Sequence, residues 1–238
     1  MADSRDSARQ RLAFALDVAD AREARTWTER LRGRVGVLKV GLELFVSAGP
    51  DVIAIARDAG ARVFLDLKLH DIPETVARAV QSARRHGADL LTVHASGGPA
   101  MLSRAAAAAR EGGALTILAV TALTSMDDAQ VRAIGFDAGP SAWAELLAGV
   151  AVDAGAGGLV CSAHEVENLR KRFPKSLLVT PGIRPTGADR GDQARVATAR
   201  DAIRAGSDLL VVGRPIRDAA DPVAAVEALV DEIESALR

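Results

Sequence analysis

The sequence predicts an α/β protein, a single (β/α)8 TIM barrel, on three observations. About eight short apolar runs alternate with amphipathic segments, which implies parallel strands joined by crossover helices. No linker or shift in composition divides the 238 residues, a length that suits one barrel with short loops. The turn after the first run reads Leu16-Asp17-Val18-Ala19-Asp20, whereas an open doubly wound sheet carries a glycine-rich turn there.

Taken in order, residues 1–10 are polar and are expected to be disordered or loosely attached to a domain that spans residues 1–238. The predicted strands are 12–17, 35–40, 62–68, 88–94, 115–121, 157–161, 177–180 and 208–213. Most are rich in Val, Leu and Ile, and several follow Gly or Gly-Ala, the marks of strands buried on both faces. The segment 73–86 starts with Pro73 and Glu74, lines Val76, Val80 and Ala83 along one face, and stops before Gly87; those are helix start and stop signals. Residues 103–111 hold five consecutive alanines, strong helix formers. Segments 141–154, 163–172, 194–205 and 222–237 read the same way, and 185–192 reads as a polar, mobile loop after the seventh strand.

Charge and composition exclude several classes. Lys+Arg 30 against Asp+Glu 31 leaves a net charge of −1 with no polybasic tract, so no nucleic acid polymer is expected as partner. No apolar stretch approaches the ~20 residues that span a bilayer, and residues 1–11 contain no apolar core of a secretory signal. The one cysteine, Cys161, excludes an intrachain disulfide and is expected in the core. A cytoplasmic location is the expectation. His70, His86 and His164 show no metal-ligand spacing with carboxylates, so no metal site is expected. His94 is expected to pack with a hydrogen bond, and Trp27 and Trp143 to pack on helices.

In such a barrel the active site lies at the C-terminal ends of the strands. Strand ends here carry Asp17, Lys39, Asp66 with Lys68, and His94. Side chains alternate faces along a strand, so Phe64, Asp66 and Lys68 share one face and Val63, Leu65 and Leu67 the other. The aliphatic face should pack on helices, which turns Asp66 and Lys68 into the barrel. By the same alternation Asp17 goes inward with Ala13 and Ala15, and Lys39 with Val37. Burying ions costs several kcal/mol each unless they are paired and hydrogen-bonded. Bland readings remain for single members: Asp17 and Asp71 as helix caps, Lys39 as a lysine reaching for water, Asp66 and Lys68 as a structural ion pair. A convergent lattice of opposite charges explains all five together.

The loops after strands seven and eight of such barrels commonly bind phosphate. Gly182 and Gly213 permit close backbone approach there, and Arg184 and Arg214 supply planar forks of donors. A small phosphorylated substrate is expected.

The residues also carry a resemblance. Asp66-Leu67-Lys68-Leu69-His70-Asp71-Ile72-Pro73 resembles the D-x-K-x-x-D-I-P signature of the orotidine 5′-phosphate decarboxylase family. Ala15-Leu16-Asp17, Leu38-Lys39-Val40-Gly41, Leu123-Thr124-Ser125-Met126, Pro181-Gly182-Ile183-Arg184, Gly191-Asp192-Gln193 and Val212-Gly213-Arg214-Pro215-Ile216 match in order. Glu74 departs from the Asn that many members carry, and Ala188-Asp189-Arg190 departs from common loop versions.

The resemblance implies cofactor-free conversion of orotidine 5′-monophosphate to UMP and CO₂ in pyrimidine biosynthesis. Carried over by position, Lys68 would protonate C6, and Asp66 would lie against the substrate carboxylate. Asp71 would come from the other subunit of a homodimer, beside Ile72 and Thr75. Asp17 and Lys39 would hold the ribose hydroxyls, with Thr124 and Ser125 near the base. Gln193 would bridge base and phosphate, and Gly213 and Arg214 would bind the phosphate with Arg184 reaching in from the mobile loop. Related metal-dependent phosphosugar lyases share the third-strand motif but carry a metal-binding Glu where this chain has Lys39. A catalytically silent nucleotide-binding protein is the reading from a different class.

Overall fold

The computed structural model describes residues 4–113, 115–184 and 197–238. Its centre is a closed, all-parallel barrel in sequential order. The strands are β1 (Leu12–Leu16), β2 (Val37–Gly41), β3 (Arg62–Leu69), β4 (Leu90–His94), β5 (Thr116–Val120), β6 (Gly158–Val160), β7 (Leu177–Thr180) and β8 (Leu209–Val212). Each overlaps one predicted run, β2 and β3 reaching one residue beyond theirs. Closure pairs β8 with β1, Ala13 standing beside Val211, so the sheet has no free edge.

Alternation divides the core into two shells. Ala13, Ala15, Val37, Phe64, Leu90, Leu118, Val179, Leu209 and Val211 form one apolar cluster inside the barrel. Their neighbours Leu12, Phe14, Leu16, Leu38, Val40, Val63, Leu65, Leu91, Val93, Leu210 and Val212 belong to the second, which packs on the helices. The lining of the barrel is thus small or β-branched at many positions, as a narrow interior requires. The charged strand ends stand on top of this dry plug.

Helices differ from expectation mainly at their starts. The alanine-rich helix runs Gly98–Arg110, five residues earlier than predicted, because Pro99 sits in its first turn after Gly98 at φ +82°. Pro73–Arg85 and Pro222–Leu237 match the sequence reading closely. An unforeseen helix, Asp128–Ala133, is opened by a reciprocal cap between Asp127 and Gln130.

One expectation is corrected. Ser4–Gln10 is not loosely attached but forms a helix against Pro222–Leu237. Ala8 is fully buried, Arg5 pairs with Glu227 and Asp231, and the Arg9 carbonyl accepts the Gly36 amide. The acidic partners of Arg5 lie more than two hundred residues away in sequence, so local composition gave no sign of them. No helix among the described residues is long and apolar enough to cross a membrane.

Candidate active site

Because β1, β2 and β3 are neighbours, their ends bring Asp17, Lys39 and Asp66 side by side. Lys39 is only 8% exposed, so its ammonium is not reaching for water. Its Nζ donates to Asp17 Oδ1 at 3.0 Å and stands 3.7 Å from Asp66 Oδ2. Asp17 is no helix cap; the following helix, Ala21–Arg30, is capped by Asp20, which accepts the Glu23 amide. Gly41 leaves room for this pair, since a Cβ there would sit 3.0 Å from Lys39 Nζ and 3.2 Å from Asp17 Oδ1.

β3 departs from regular pairing where its charges lie. Leu65 stands beside Leu91 and Leu69 beside Val93, so the register against β4 shifts between Leu65 and Leu69. Within that stretch Lys68 adopts φ +50°, the positive φ of a residue that is not glycine. Such a conformation costs on the order of 1–3 kcal/mol and persists where its surroundings impose it. Lys68 Nζ donates to Asp66 Oδ2 at 2.8 Å, and the Lys68 amide donates to Thr92 Oγ1 at 2.9 Å. The Thr92 hydroxyl in turn donates to Asp66 Oδ1 at 2.9 Å. Burial pushes the Asp66 carboxyl up, but Lys39, Lys68 and the Thr92 hydrogen bond outweigh it and hold the group below the usual carboxylate range.

These charges border a cavity of about 350 Å³, at the lower end of the size of small-ligand sites. Ala15, Phe64, Val120, Val160 and Val211 contribute apolar wall, and Asp17, Lys39, Asp66 and Lys68 border it on the β1–β3 side. Gly182, Arg184, Gly213, Arg214 and Arg217 border it from the ends of β7 and β8, and Thr124 from the loop after β5. Gly182 holds φ +81°, a region open to glycine at no steric cost.

The remaining expected residues stand as follows. Arg184 does not reach in from a mobile loop: it is 9% exposed, its amide bonds to the Ala197 carbonyl and its Nη1 donates to the Ile183 carbonyl. The bridge between Ile183 and Ala197 anchors it. Ser125 is exposed and does not border the cavity. Asp71, Ile72 and Thr75 are exposed and outside the cavity in this subunit. Asp71 accepts the Ile72 amide at 2.6 Å, and the helix it precedes has no side-chain cap. Gln193 and the loop 185–192 lie outside the described residues. Glu74 pairs with Arg78 and Arg104 on the surface. Cys161 is buried and borders the cavity.

Two polar residues escaped the sequence reading. Thr92 is fully buried between Leu90 and His94 on the inward face of β4; a lone hydroxyl at that period was the available signal. Arg217, three residues after Arg214 on the short helix Arg214–Arg217, borders the cavity and donates to the Asp17 carbonyl at 3.1 Å.

His94 ends β4 with its ring 5.5 Å from that of His70. Burial lowers its pKa, as do the positive charges of His70 and Lys68, against the pull of Asp66. A depressed histidine contributes stability that is complete above its unfolded pKa of about 6.5 and is lost as pH falls through the folded value. Melting temperatures should therefore fall between about pH 7.5 and pH 5, and less steeply in His94→Gln. Parallel curves for the two proteins would remove His94 as the cause.

Among the described residues no group of three or more His, Cys, Asp and Glu side chains is arranged to hold a metal ion. The Lys39 ammonium itself fills the space between Asp17 and Asp66 where a cation would have to sit.

Comparison with known proteins identifies the family. A family model described as orotidine 5′-phosphate decarboxylase / HUMPS family matches residues 10–229. The orotidine 5′-phosphate decarboxylase of Anaeromyxobacter sp. (strain K) is 52% identical over 221 residues, covering 92% of this chain and 96% of the relative. That of Syntrophotalea carbinolica is 47% identical over 237 residues, covering 97% of each. The crystal structure of orotidine 5′-phosphate decarboxylase from Lactobacillus acidophilus superposes with a TM-score of 0.82 at 36% identity, covering 93% of this chain and 98% of that one. On sequence and fold together, this chain belongs to the orotidine 5′-phosphate decarboxylase / HUMPS family.

Proposed function

We propose that this protein is an enzyme that decarboxylates orotidine 5′-monophosphate to UMP and CO₂ in pyrimidine biosynthesis, with Lys68 as the proton donor and no metal or cofactor. The observation that carries the reading is the Lys68 ammonium, fixed by Asp66 and by its own unusual backbone at the edge of a cavity that three arginines border from the ends of β7 and β8.

Loss of CO₂ from C6 of the pyrimidine leaves an sp² carbanion that the ring cannot delocalise. A preorganised ammonium aimed at that carbon stabilises the growing charge and then supplies the proton. Asp66 stands against the departing carboxylate, whose crowding is relieved as CO₂ leaves. Asp17 and Lys39 hold the ribose hydroxyls. Gly213 and Arg214 take the phosphate with Arg184 beside them, Thr124 and Ser125 attend the base, and Gln193 links base to phosphate. Remote phosphate contacts supply binding energy for charge crowding at the reacting carbon. We further propose a homodimer in which Asp71, Ile72 and Thr75 complete the neighbouring subunit's site; their exposure, with Leu42 and Val46 also exposed beyond β2, supports it. A cytoplasmic setting belongs to the same reading and is supported by a single, buried cysteine.

The rival reading is a metal-dependent phosphosugar lyase, which would share the third-strand motif. Lys39 opposes that reading, because its ammonium repels a divalent cation from the Asp17–Asp66 pair. The direct experiment is release of CO₂ from orotidine 5′-monophosphate by protein treated with EDTA. Undiminished turnover is expected; turnover of a ketose phosphate that EDTA abolishes would replace the proposal.

A further inference from the structure

We infer that Thr92 is a positioning residue, whose single hydroxyl sets both the Asp66 carboxylate and the main chain that aims Lys68. The inference rests on the decarboxylase reading and extends it to a residue outside the cavity wall.

The shift of register leaves the segment between Leu65 and Leu69 without regular partners on β4. Backbone amides there must bond to something else or stay unpaired. The Lys68 amide bonds to Thr92 Oγ1, so the hydroxyl stands in for the missing strand partner at the residue whose φ is +50°. The same oxygen has one proton to give, and it goes to Asp66 Oδ1. Asp66 Oδ2 already receives Lys68 Nζ. One hydroxyl therefore closes a ring: amide of Lys68 to Thr92, Thr92 to Asp66, Asp66 to the ammonium of Lys68. Rotation of the carboxylate or relaxation of the Lys68 backbone would break at least one member.

Thr92 is fully buried, so a hydroxyl lost there is not replaced by contact with solvent. Serine can make the same two bonds. Valine keeps nearly the same shape and makes neither. Misplacement of a reacting group by about an ångström costs roughly a hundredfold in rate, whereas the phosphate contacts made at the ends of β7 and β8 are remote from Thr92.

The test compares Thr92→Val, Thr92→Ser and wild type for orotidine 5′-monophosphate turnover, with UMP titration of each protein counting competent sites. Thr92→Val should lose roughly ten- to a hundredfold in kcat per competent site, with KM within about threefold, and Thr92→Ser should recover most of the loss. Thr92→Ala, which removes the hydroxyl without the valine methyl, should fall in the same direction should the valine variant fold poorly. A valine variant with wild-type kcat overturns the inference, as does a serine variant as slow as valine. Absence of turnover in the wild type overturns the decarboxylase reading itself, and this inference with it.

Discussion

Lys68→Ala is expected to lose turnover of orotidine 5′-monophosphate by on the order of 10⁴-fold or more while still binding UMP. Two contributions are removed together. Loss of one preorganised charge facing the reacting centre typically costs 10²–10³-fold, and loss of a positioned proton donor a further 10²–10⁴-fold. The two overlap in one ammonium, so the sum of their free energies is an upper bound. The site should survive the change. Asp66 keeps Lys39 at 3.7 Å and the Thr92 hydroxyl at 2.9 Å, so its charge is not left without partners. UMP lacks the carboxylate that meets Asp66, which makes it the proper probe of an intact site. It should bind within about tenfold of the wild-type affinity, because Gly213 and Arg214 are untouched. Unchanged turnover would remove Lys68 from its role. A wild-type protein that binds UMP and turns over nothing would instead favour the silent nucleotide-binding protein.

The direction of these charges was legible because a strand has a period of two. Val63 and Leu65 could only pack outward, and the inner cluster does contain Phe64, Ala13, Ala15 and Val37. What alternation could not express is an irregularity. Nothing in Leu65-Asp66-Leu67-Lys68-Leu69 announces a register shift or a positive φ at Lys68, since both arise from the fit of β3 to β4. Thr92 was missed for the same reason. A threonine in a strand satisfies ordinary β-propensity, and its importance appears only once Asp66 and the Lys68 amide are beside it. Long-range charge explains the remaining difference. Arg5 in the N-terminal helix meets Glu227 and Asp231 from the other end of the chain, a contact set by the closure of β8 on β1 and invisible to any local window.

A second expected result tests the shared site: mixing two inactive proteins, Lys68→Ala and Asp71→Asn, should restore activity. In one subunit Asp71 is exposed, outside the cavity, and accepts the adjacent Ile72 amide, a placement that suits a role in a neighbouring subunit's site. In the proposed twofold assembly each site would combine Lys68 of one subunit with Asp71 of the other. A mixed dimer has one site that combines both substitutions and one that contains neither. Random reassociation of equal amounts yields about half mixed dimers, and so about a quarter of wild-type activity. Activity should rise as subunits exchange after mixing and stay absent when either variant is incubated alone. If Asp71 acted within its own subunit, every site in every mixture would contain one lesion, and the mixture would stay as inactive as its parts. Light scattering on the same samples establishes that a dimer exists, and refolding the two variants together from denaturant forces their subunits to reassort, so a mixture still inactive after that places Asp71 in its own subunit's site.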